Sequence, residues 1–223
     1  MNHISNTIAI VLKDTRSELR TRYALNALLM FVITSVATIL FALQEEDVAP
    51  EVLSGMFWVV VFFTAMSGLS RIFVSEEERG TTMTLQLIAA PSNVFFGKLI
   101  FNLVLTLSLS FAVTVLYLAA FPTFVIRSWD IFLLTVFLGS SGFASAATII
   151  AAIIAKANTK GTLYPVLSFP LLIPLLMEVM RATAFALNGE PLRSALGEFQ
   201  ILVSYILVVV TSSYLLFDYV WKE

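Results

Sequence analysis

The chain returns six times to an apolar run long enough to cross a bilayer: residues 24–43, 53–74, 99–121, 131–155, 163–180 and 201–219. About 20 apolar residues in a helix span the roughly 30 Å of hydrocarbon, and inside it every backbone amide must be satisfied within its own segment. None of the runs alternates as the strands of an outer-membrane barrel do. The expected fold is an all-α integral membrane protein with six transmembrane helices. A single domain covers residues 1–223, with 24–219 as the six-span bundle and 1–23 as a helix preceding it. Composition agrees, since 13% of residues are charged and 59% hydrophobic, against about 25% charged in soluble domains.

The net charge of -2 conceals an asymmetry. With the N-terminus cytoplasmic, Lys13, Arg16, Arg20, Arg22, Arg71, Arg79, Lys98, Lys156, Lys160 and Lys222 lie inside, and Arg127, Arg181 and Arg193 outside. The positive-inside rule then predicts a multi-pass protein with both termini cytoplasmic. The first apolar run is about twice the length of a signal-peptide core and is followed by no clear small-residue cleavage site, so it reads as a retained span. Ahead of it, Ile4, Ile8, Val11, Leu12 and Leu19 gather near one side of a helix, and Lys13, Arg16, Arg20 and Arg22 surround the rest. That pattern predicts an amphipathic helix lying in the membrane interface. It either anchors the terminus or contacts a partner.

Several chemistries are excluded by what the chain lacks. It has no cysteine, hence no disulfide, thiolate metal site or cysteine nucleophile. Its single histidine is His3, so no HExxH, Ser/His/Asp set or bis-histidine haem pair can be assembled. No GxxxxGK[ST] phosphate loop occurs. No catalytic residue and no metal ligand set is assigned, and any ATP would be bound by another subunit. The basic residues are a topological signal rather than a nucleic-acid patch.

Within the spans, Gly139, Gly142, Ala146 and Ala147 of "GSSGFASAA" form a small-residue strip suited to close helix approach. A transport path is the lesser alternative. Pro165, Pro170 and Pro174 in "YPVLSFPLLIPLLMEVMR" each remove a backbone donor and favour kinks, as in transporters and in many ordinary spans. Glu178 and Arg181 stand three residues apart at the outer end of that span, spaced to pair on one face. A proton or substrate role for them is the alternative.

The most polar interior stretch is "EEERGTTMTLQLIAAPSNVFFGK", Glu76 to Lys98. Ser75 with Glu78 has the spacing of a capping box, which would place Glu76, Glu77 and Glu78 at a helix start. The favoured reading has the second span run on into the cytoplasm and end near Gly80, which supplies a permissive backbone. Thr81 or Thr82 can then cap a short helix, and Pro91 disfavours helical geometry at Ala90. Met83, Leu85, Leu87 and Ile88 form an apolar cluster on a segment too short to be stable alone. It is a loop packed on its own bundle or on headgroups, a lone strand "TMTLQL", or a coupling helix that enters a groove on a cytoplasmic partner.

The run "RIFVSEEERGTTMTLQLIAAP", followed by "GKLIFN", resembles the signature of the CcmB family, permease subunits of the ABC-type haem exporter in cytochrome c maturation. The basic "LRTR", "GMFWVVVFF" around Trp58, the turn "KANTKG" and "LSFPLLIP" extend the resemblance over most of the chain. The acids at 76–78 are more concentrated than that pattern leads one to expect. The resemblance implies a six-span, ABC-2-like permease of the bacterial inner membrane, present as two copies. It also implies partnership with a cytoplasmic ABC ATPase and haem-handling membrane proteins, with haem as the transported or handled ligand. On this reading the ATPase-coupling residues are Glu76, Glu77, Glu78, Arg79, Gly80, Thr81, Met83, Leu85, Leu87, Ile88 and Pro91. Two other readings are an ABC-2-like permease for a lipid or polysaccharide and a non-transporting membrane scaffold.

Overall fold

The computed structural model describes residues 3–20, 22–43, 48–78, 80–155 and 163–222. Among them the chain is helical throughout: α1 (His3–Arg20), α2 (Arg22–Leu43), α3 (Pro50–Leu69), α4 (Arg71–Glu78), α5 (Thr82–Ile88), α6 (Pro91–Ala120), α7 (Trp129–Ala155), α8 (Leu163–Asn188) and α9 (Leu196–Lys222). A 3₁₀ turn, Leu192–Ala195, leads into α9. Six of these elements are long and apolar enough to cross a membrane. The "QEED" segment, Arg79 and the "KANTKG" turn lie outside the described residues.

The elements depart from the expectation in several places. The third span begins at Pro91 rather than at 99, because Pro at the first helical position suits a helix start and Ala90 is already extended. This draws Lys98 inside the helix. The second span does not run unbroken to Gly80; it stops at Leu69, and α4 resumes after Ser70. The Ser67 and Ser70 hydroxyls bond to the carbonyls of Phe63 and Ser67 there, and a Gly/Ser pair is a usual place for a helix to break. Finally, Pro170 and Pro174 sit inside one uninterrupted α8. Between them the Leu171 carbonyl accepts a hydrogen bond from Tyr205 of α9 at 3.1 Å.

The core is built around α7. Of its span, 83% is buried, against 17% for α2, whose sides the bundle leaves largely uncovered. Small residues make this closeness achievable. A Cβ on Gly139 would lie 2.5 Å from Trp58, and one on Gly142 would run into Leu175. Ala146 and Ala147 are fully buried. Trp58 satisfies its indole N–H on Thr183 at 2.8 Å and stacks on Phe143. On α6, Lys98, Asn102, Thr106, Ser110 and Thr114 recur every four residues and are all buried. Asn102 donates to Thr148 of α7 at 2.8 Å, and Ser110 and Ser140 lie 3.2 Å apart. Polar bonds of this kind join helices where lipid supplies no hydrophobic drive.

A direct test of this packing is Gly142→Leu, which forces Leu175 off its site and is expected to destabilise by about 1–3 kcal/mol or more. Thermal unfolding in detergent measures it. Gly197→Ala is the contrast: nothing lies within 4 Å of its added methyl, so no loss is expected.

Candidate functional site

At the basic end of the bundle, α4 leads through α5 into the start of α6. The close of α4 is a Schellman turn, in which Thr81 N–H bonds to the Glu76 carbonyl at 3.0 Å and Gly80 N–H to that of Glu77 at 3.1 Å. Gly80 takes a φ of 66°, the left-handed geometry that only glycine adopts without penalty. The acids at 76–78 therefore end a helix rather than start one. Against the helix dipole this position is unfavourable for a carboxylate, and Glu76 is offset by two lysines. Glu77 and Glu78 are exposed.

Thr81 occupies the N-cap position of α5, yet its hydroxyl makes no cap bond. It donates to Glu76 Oε2 at 2.6 Å instead, because an ionised carboxylate is the stronger acceptor. The α5 helix divides its apolar residues between two sides. Met83, Leu87 and Ile88 point outward with 77%, 88% and 72% of their surface exposed. Leu85, the fourth member of that apolar cluster, packs inward against the core. Gln86 donates to the Trp221 carbonyl of α9, and Pro91 starts α6. The segment is thus held from behind while three large apolar side chains face out.

Behind α5 lies an ion cluster. Lys98, with 1% of its side chain exposed, reaches Asp14 of α1 at 3.0 Å and Glu76 of α4 at 3.1 Å. Lys13 contacts the same two carboxylates, Asp14 at 3.3 Å. Two cations thereby balance two anions. Burial works to raise the Glu76 carboxyl pKa, but the Lys98 charge, with hydrogen bonds from Lys13 and Thr81, outweighs it and brings the value down to about 2. For Lys13, burial works downward, and bonding to Glu76 with the charge of Asp14 leaves its pKa raised. The Lys98 ammonium also sits 5.4 Å from the centre of the Phe73 ring. Phe73 in turn packs on Phe217 and Trp221, and Phe217 on Phe95, which ties α4, α6 and α9 together.

The expected interfacial helix α1 has two sides. Ile10 is buried on Gly97 of α6, where an added Cβ would lie 2.8 Å from its Cγ2, and Asp14 is buried in the cluster. Ile8, Leu12 and Leu19 remain exposed, facing away.

The sequence reading missed Lys13, Asp14 and Lys98 as a unit. A signal was present: a lysine flanked by "FFG" and "LIF" needs a partner, and Asp14 lies four residues from Ile10 on one helix face. The remaining sequence candidates are not gathered here. Gly139, Gly142 and Ala146 lie in the bundle core. Glu178 and Arg181 pair at 3.7 Å toward the opposite end, where Asn188 donates to Glu51. Among the described residues, no group of three or more His, Asp or Glu is placed to hold a metal ion.

The family model described as "CcmB protein" matches residues 5–216 of the chain. The comparison with curated proteins gives no match.

Proposed function

The chain belongs to the CcmB family, and from that premise we propose that it is the membrane subunit that couples a cytoplasmic ATPase to haem delivery or haem-chaperone release in c-type cytochrome assembly. As a family member it is a multi-pass membrane protein and a haem-exporter permease component, not itself an enzyme. The observation that carries the finer reading is α5. A seven-residue helix is too short to persist alone, and this one is anchored through Leu85 and Gln86 while presenting Met83, Leu87 and Ile88 outward. Such a knob suits an apolar groove on an ATPase. ATP would be hydrolysed on that partner, and this chain's part is to receive displacement at α5 and pass it to the bundle. Haem is a handled ligand, with no histidine of the spans to ligate it.

Cells lacking this chain should lose assembled c-type cytochromes while b-type haem proteins persist, and the tagged chain should copurify with an ATPase from native membranes. Normal c-type assembly without it would overturn the reading. A lipid or polysaccharide permease would give the ATPase but leave the cytochromes intact.

Orientation is testable independently, because the chain has no cysteine to remove. Single cysteines replacing Glu78, Thr123 and Asn188, all exposed, report sidedness to an impermeant maleimide. We expect Glu78→Cys to label only after the inner membrane is opened, and the other two from outside. Outside labelling at position 78 would reverse the topology.

A further inference from the structure

We infer that Lys98 is a positioning residue that joins the N-terminal helix to the coupling segment, so that α1, α4 and α5 move as one body. This rests on the coupling reading of α5. Lys13 and Asp14 belong to α1, Glu76 to α4 and Lys98 to α6, and the three segments meet at one buried point. Glu76 is the node. It accepts from Thr81 at the start of α5, from Lys13 of α1 and from Lys98 of α6. A displacement of α5 reaches Glu76 through one hydrogen bond and both lysines from there.

Neutrality makes the joint stiff. Withdrawing α4 or α6 leaves a buried charge without its counterion, which costs far more than shifting apolar contacts; α1 carries one charge of each sign, and its withdrawal breaks the Lys98–Asp14 and Lys13–Glu76 pairs. The α4 and α6 segments therefore stay together, and α1 is tied to both through those two pairs. Ile10 fitted against Gly97 holds the same pair of helices by shape. The outer side of α1, with Ile8, Leu12 and Leu19 exposed, is then free to slide over lipid as the inner side follows α6.

Spin labels on the purified complex test this. The Leu12→Cys/Glu78→Cys pair places both labels on exposed positions of α1 and α4. Its distance distribution should be the same without nucleotide and with ATP. The Leu12→Cys/Val59→Cys pair, from α1 to α3, should shift. A nucleotide-dependent change in the first pair, or none in the second, overturns the inference. In cells, Lys98→Glu and Asp14→Lys each unbalance the cluster, and c-type cytochrome assembly should fall by at least roughly tenfold with the ATPase still bound. The double exchange restores two charges of each sign and should recover assembly. Failure of the double variant to improve on the singles at equal membrane level would count against the joint. Failure of the coupling reading is distinct: Leu87→Asp would then retain the ATPase whatever the cluster variants do.

Discussion

Lys98→Met is expected to lower the stability of the bundle by about 3–5 kcal/mol, the cost of removing one partner from a buried ion pair. Methionine fills much of the space of the lysine stem, so little of the loss comes from a cavity. What changes is charge. Asp14 and Glu76 stay buried at 7% and 10% side-chain exposure, with only the half-exposed Lys13 to offset them. Unfolding in detergent at neutral pH, wild type against Lys98→Met, measures the difference. The pH dependence carries a sign. The Glu76 pKa is depressed from 4.5 to about 2, so its contribution is fully present above 4.5 and is lost as pH falls toward 2. The gap between the two proteins should therefore narrow as pH drops through that window. A constant gap would assign the loss to packing.

Leu87→Asp acts on association rather than folding. If Leu87 is buried in a groove of the ATPase, that burial contributes about 1.5–3 kcal/mol. The substitution removes this and adds the cost of desolvating a carboxylate. Since each 1.4 kcal/mol or so is tenfold in affinity, dissociation should strengthen by roughly ten- to a hundredfold or more. The bundle keeps its own hydrogen bonds. Leu87, 88% exposed in the isolated chain, also has few intramolecular contacts to lose.

The six spans were legible because hydropathy over 20 residues reports the solvent a helix lives in, and lipid leaves few alternatives. The turn at Gly80 and the short helix between it and Pro91 were legible for a local reason: each rests on a backbone preference of one residue. Lys98 was not. Counted as a topological charge, it looked like a residue at the water's edge, and only the partners at Asp14 and Glu76 show why it can be buried. Those lie 84 and 22 positions away along the chain, beyond any local pattern. The side taken by Leu85 was not legible for a related reason. An apolar cluster on two turns does not reveal which side meets its own bundle until the fold packs Leu85 on the core and ties Gln86 to the Trp221 carbonyl of α9. Thr81 likewise kept its cap position and gave its hydroxyl to a neighbour whose charge state is set by α1 and α6.

On the proposed reading, α5 is the contact through which an ATPase is held. The most direct measurement is the amount of ATPase that copurifies with the tagged chain from native membranes, for wild type and for Leu87→Asp at equal membrane levels. The expected result is an ATPase abundant with wild type and depleted by roughly tenfold or more with Leu87→Asp, with c-type cytochrome assembly falling alongside. Equal recovery of the ATPase with both chains and unchanged cytochrome assembly would contradict the claim and leave α5 a loop of the bundle.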